Sequence, residues 1–144
     1  MKAILLRAIV VAAVALAPAA AWAATDAEVA AHEAVLDLAG AFTNDGFKLR
    51  DGTYSGTLAK GASVLVQVNL YAGNAYWFSV ATADPATDVT IALYDETGKL
   101  LKTDTYSDAH RAAAGFSPDA SGPYYVRIAN PGPPATYCLI YSYK

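Results

Sequence analysis

The stretch DVTIALYDETGKLLKTD, residues 88–104, sets Asp95 and Glu96 side by side between two apolar runs. Paired carboxylates do acid–base work only when a cleft desolvates one of them. Here the pair is followed by Thr97 and Gly98, and the apolar run before it, DVTIALY, alternates. A type I turn ending at Gly98 explains the same residues, because glycine accepts the left-handed conformation that closes such a turn. Asp95 suits its place because its carboxylate can accept from backbone N–H groups within the turn. The reading is a hairpin tip.

Other chemistry-bearing groups fare no better. His32 and Glu33 open like a zinc-protease helix, but Leu36 stands where the second imidazole must be. Two imidazoles at i and i+4 are what hold that metal, so the motif fails. His110 beside Arg111 has no relay partner in sequence, and no serine lies in a G-x-S-x-G elbow. The Gly61-Ala62-Ser63 triplet reads as a strand start. Asp84 and Asp88 bracket PAT, and Asp104 and Asp108 bracket TYS. Calcium needs several such oxygens to converge, whereas solvated acidic turns are ordinary, so neither catalytic residues, metal nor cofactor are expected. The lone cysteine, Cys138, has no positive neighbour to lower its pKa and no partner for an internal disulfide. It reads as a buried, inert thiol.

The chain's beginning resembles an address. Lys2 and Arg7 precede the apolar run AIVVAAVALA, Pro18 breaks it, and AWA at 21–23 offers small residues for cleavage after Ala23. This is the pattern of a secretory signal peptide, and the run is shorter than the ~20 residues a membrane span requires. The expected product is exported, periplasmic or extracellular, with no membrane span after cleavage. Losing residues 1–23 removes two bases and no acid, so the net charge moves from −3 to −5. An acidic chain offers phosphates no footing, which argues against nucleic acid.

The remaining residues are organised by two periods. Over 24–46, Thr25 and Glu28 have capping-box spacing, and Ala31, Val35, Leu38 and Phe42 share one face of an amphipathic helix that TNDG ends. From Thr53 the period becomes two. Val64, Val66, Val68 and Leu70 alternate with Leu65, Gln67 and Asn69; Tyr76, Phe78 and Val80 alternate with Trp77, Ser79 and Ala81. Further runs follow at DVTIALY, PYYVRIAN and TYCLIYSYK, with weaker strands expected at 53–58, 99–105 and 110–116. Turn residues punctuate them at 60, 72, 83, 96, 117 and 130. This predicts a mainly β chain, an antiparallel β-sandwich over 53–144 carrying one N-terminal helix. If Tyr137, Leu139 and Tyr141 fill its core, Cys138 and Ile140 face outward, with Trp77 and Leu65, and the helix is expected to lie over that outer patch.

The runs SGTLAKGASVLVQVNLYAGNAYWFSVAT, DVTIALYDETGKLL, AAAGFSPDASGPYYVRIA and ATYCLIYS together resemble the bacterial pre-peptidase C-terminal domain family. The likeness spans about 55–142. It implies a jelly-roll-like β-sandwich in a secreted protein, of a kind that usually follows the catalytic domain of an exported hydrolase and does no chemistry itself. Some relatives bind calcium before the first strand; here NDGFKLRDG mixes Asp45 and Asp51 with Lys48 and Arg50, and the metal is not carried over. The resulting expectation is a non-catalytic binding or accessory module for an envelope or extracellular protein or glycan. A structural, self-assembling envelope protein is the alternative. Ten tyrosines suit recognition as well as strand formation. Tyr106, Tyr125, Tyr143 and Trp77 are the expected binding surface.

Overall fold

The computed structural model describes residues 23–144. Apart from Ala23, the segment read as a signal peptide lies outside them. The chain is mainly β, with a single helix, α1 (Asp26–Asn44), among the described residues. Nine strands follow: β1 (Lys48–Leu49), β2 (Tyr54–Leu58), β3 (Ser63–Leu70), β4 (Tyr76–Thr82), β5 (Thr90–Asp95), β6 (Asp104–Asp108), β7 (Arg111–Phe116), β8 (Gly122–Ala129) and β9 (Ala135–Tyr143). They form two antiparallel sheets. The larger runs β1–β9–β4–β7–β6, with β2 also paired to β9; the smaller runs β3–β8–β5. All the turn signals fall between strands.

One core joins the sheets because the alternation turns every second side chain inward. Val66, Val68 and Leu70 of β3, Val126 and Ile128 of β8 and Leu93 of β5 meet Phe78, Val80, Leu139, Ala112 and Ala114 of the larger sheet. Phe78, Val80, Ile128 and Leu139 are wholly excluded from water, each worth roughly 1.5–3 kcal/mol of burial.

The helix covers the opposite face of the larger sheet. Its capping box forms as the spacing requires: the Thr25 hydroxyl accepts from Glu28 N at 3.2 Å, and Thr25 N donates to the Glu28 carboxylate at 2.7 Å. At the other end Gly46 takes φ +90°, and the N–H groups of Gly46 and Phe47 return to Thr43 O and Phe42 O. Ala31, Val35 and Ala39 then pack on Ala81, Cys138 and Ile140. Small residues on both sides let the helix approach closely.

Three details depart from the sequence expectation. Leu65 does face outward, but on the smaller sheet, so the helix does not cover it and it stays 60% exposed. The strand expected at 99–105 forms at Asp104–Asp108, because residues 96–103 pass from one sheet to the other and make only an isolated bridge, Tyr94 to Leu100. Lys48 and Leu49 add a strand beside β9 that their mixed character did not suggest. No helix among the described residues is long and apolar enough to cross a membrane.

Candidate functional site

With α1 laid over one sheet, the outer face of the three-stranded sheet is the broad face left bare. Its side chains follow from register. β8 pairs with β3 and β5 so that Gln67, Tyr125 and Tyr94 form one row across the strands, and Leu65, Arg127 and Ala92 the next. Neighbouring strands lie ~4.8 Å apart, so each row presents about 10 Å of continuous surface. The two tyrosines are half-buried at their bases, while Gln67, Leu65 and Arg127 are exposed.

The hairpin tip after β5 forms a rim to this face. Asp95 Oδ1 accepts from Thr97 N at 2.9 Å, Thr97 Oγ1 at 2.6 Å and Lys99 N at 3.0 Å, and Gly98, at φ +83°, closes the turn. The hydrogen bond from the Thr97 hydroxyl, with the backbone N–H groups behind it, holds the Asp95 carboxyl below its ordinary value of 3.8. That carboxylate is spent on the turn; its neighbour Glu96 is not. Leu65, Tyr94, Glu96, Gly98, Tyr125 and Arg127 enclose an open depression of about 310 Å3. Arg127 makes no ion pair among the described residues. The depression, with Asp95 at its rim, thus offers flat aromatic area, one cation and the Glu96 carboxylate, with Gln67 next to Tyr125 on the same face. None of Arg127, Glu96 or Gln67 has a side-chain partner among the described residues.

A second cleft, of about 410 Å3, lies where α1 meets the larger sheet, between Asp37, Phe42, Trp77, Tyr106 and Arg111. Its charged groups are paired with one another, although Arg111 Nε has no hydrogen-bond partner among the described residues. Arg111 donates to Asp37 at 2.8 Å and to Asp108, which is the main reason the Asp108 carboxyl lies below its ordinary value. Phe42 stacks on Trp77 with ring centroids 4.2 Å apart and planes 10° from parallel. The other face of the Trp77 ring rests on Gly115, where an added Cβ would come within 2.9 Å of it. The cleft is a joint between helix and sheet.

The four aromatic residues singled out in sequence therefore do not share one surface. Trp77 and Tyr106 border the helix cleft, Tyr125 lies on the opposite face of the molecule, and Tyr143 is on the core side of β9, packed against the main cluster. Tyr125 belongs to the bare face; sequence reasoning missed Tyr94, Arg127 and Glu96 beside it. Parity alone put Tyr94 and Tyr125 outward, but only the β5–β8 register makes them neighbours.

Cys138 is fully buried beneath α1, and burial pushes its thiol up from the ordinary value. Neither His32 nor His110 hydrogen-bonds through its side chain to another described residue. Among the described residues no three His, Cys, Asp or Glu side chains gather in a metal-holding group. No family model matches the chain, and no curated protein does.

Proposed function

We propose that this protein is an exported, non-catalytic binding module that recognises an envelope or extracellular glycan through the outer face of β3, β8 and β5. The observation that carries the reading is the asymmetry of the two outer faces. One is covered by α1 over β4 and β9, while the other leaves Tyr94 and Tyr125 side by side with Arg127, Gln67 and Glu96 free of side-chain partners among the described residues. Tyrosine rings set in a flat sheet provide rigid, amphipathic contact area at low entropic cost. Pyranose rings have apolar faces of matching size and a periphery of hydroxyls, which the amide, guanidinium and carboxylate groups suit. A protein ligand uses the same chemistry less completely, because nothing on this face forms the deep pocket that an anchoring side chain fills.

The fold reading that goes with this is a jelly-roll-like sandwich similar to pre-peptidase C-terminal domains. Its support is the order of the sequence motifs and the shared core of two antiparallel sheets. Export rests on the first 23 residues alone.

The test is retention on insoluble polysaccharides (chitin, cellulose and peptidoglycan sacculi), followed by affinity measurement on whichever retains the protein. Tyr94→Ala and Tyr125→Ala are each expected to weaken binding at least tenfold, about 1–3 kcal/mol, without lowering the melting temperature appreciably. Trp77→Phe should leave affinity unchanged. Retention that survives loss of both tyrosines rejects this face as the site. Failure to bind any glycan of that panel rejects the ligand class.

A further inference from the structure

We infer that the free edge of β3 is a self-association surface, through which two copies join their three-stranded sheets into one six-stranded sheet about a twofold axis. The inference concerns assembly and stands whether or not the ligand is a glycan.

The argument begins from the sheet edges. An open edge pairs with whatever strand it meets unless it is short, charged, bulged or covered. β6 has five residues with Asp104 and Asp108 at its ends. β1 has two residues, and β2 has five with Gly56 at its centre. The outer edge of β5 is partly taken by the returning chain, where Leu101 N donates to Leu93 O at 2.9 Å and Asp95 N to Lys99 O at 3.1 Å. β3 alone lacks all of these protections. It is eight residues long, SVLVQVNL, with no charge, proline or glycine, and its register with β8 runs unbroken from Ser63–Ala129 to Leu70–Gly122. No main-chain bond among the described residues reaches its other edge.

The sequence of β3 suits a second copy in particular. Antiparallel pairing of a strand with itself keeps core-facing residues opposite core-facing residues only in registers centred on a residue, not between two. Centring on Gln67 sets Val66 opposite the partner copy's Val68 and Leu65 opposite its Asn69. Centring on Val66 sets Leu65 opposite the other copy's Gln67 and Val64 opposite its Val68. Either register places no like charges face to face, and aliphatic side chains continue aliphatic side chains. Leu65, at 60% exposure, gains a neighbour in both. In the register centred on Gln67 the joined sheet would also run the two tyrosine rows into one line, with the Tyr125 positions about 14 Å apart across three strand spacings. Such a spacing engages a polymer at two points, which raises avidity without new contacts.

Sedimentation of the purified protein over about 1–100 μM tests this. The expected result is a concentration-dependent dimer that Gln67→Lys weakens at least tenfold, with an unchanged circular dichroism spectrum, since it brings two ammonium groups together in the pair. A double variant, Leu65→Cys with Gln67→Cys, gives an independent readout. In either register it places two thiols from different copies within disulfide reach, so mild oxidation should yield a covalent dimer, whereas Thr105→Cys on β6 should not. A monomer throughout this range, a dimer indifferent to Gln67→Lys, or no cross-linking at β3 overturns the inference.

Discussion

Gly115 shows how much one missing methyl group can decide. The Trp77 ring lies directly over it, and Phe42 closes the stack from the helix side. A Cβ at 2.9 Å from the ring forces the indole to move, and the indole cannot move without disturbing Phe42. Gly115→Ala is therefore expected to destabilise the protein by about 1–3 kcal/mol, the usual cost of overpacking. Trp77 is the only tryptophan among the described residues, so a red shift of its emission should accompany the loss. An unchanged melting temperature and spectrum would mean that the stack is not tight. Sequence pattern alone hid this role: a glycine inside an alternating strand signals close approach, but not what approaches. The tyrosines illustrate the opposite case. Their outward parity was legible, and their usefulness as a pair depends on a register set between strands far apart in the chain.

At the scale of elements, α1 was read almost completely from its own residues. Cap, stop and buried stripe all lie within one local segment, and local physics fixes them. The prediction that it covers Cys138 and Ile140 also holds, since β9 turns those two away from the core. Thr25→Ala removes the hydroxyl that accepts from Glu28 N and should cost about 1 kcal/mol. If fraying from that end uncovers the sheet, Cys138 should react faster with a thiol reagent in the variant than in the native protein, where labelling is expected to be slow. Equal rates would separate the cap from the cover. What local physics could not supply was the assignment of strands to sheets. Parity told that Leu65 and Trp77 face outward, but long-range pairing alone decided that they face opposite ways. The connection at 99–103 is not strand for the same reason, its two leucines serving a crossing between sheets rather than a ladder.

For the whole molecule, two exposed carboxylates link acidity to stability. Hydrogen bonds from Thr97 and Lys99 hold Asp95 below 3.8, and the Arg111 guanidinium does the same for Asp108. A depressed carboxylate stabilises the folded chain fully above its unfolded value, and that contribution fades as pH falls through the folded value. The urea midpoint should accordingly be level in these groups from neutrality to about pH 4 and decline below it. Combining Asp95→Ala with Asp108→Ala should lower the midpoint at pH 7 and make the acid decline shallower; an equally steep decline would locate the sensitive groups elsewhere. Asp108 also belongs to a longer-range tie, since it shares Arg111 with Asp37, between the β6–β7 hairpin and the helix.

The place of β9 in the order of synthesis has a consequence for how the molecule comes into being. This strand pairs with β1, β2 and β4 and lies beneath α1, yet every one of those partners is made before it. Until Ala135–Tyr143 leaves the ribosome, β1 and β2 have no strand to pair with and the helix lacks Cys138 and Ile140 beneath it. The helix, the two short N-terminal strands and β4 can therefore reach their final packing only once the last strand has been made, however early each of them appears.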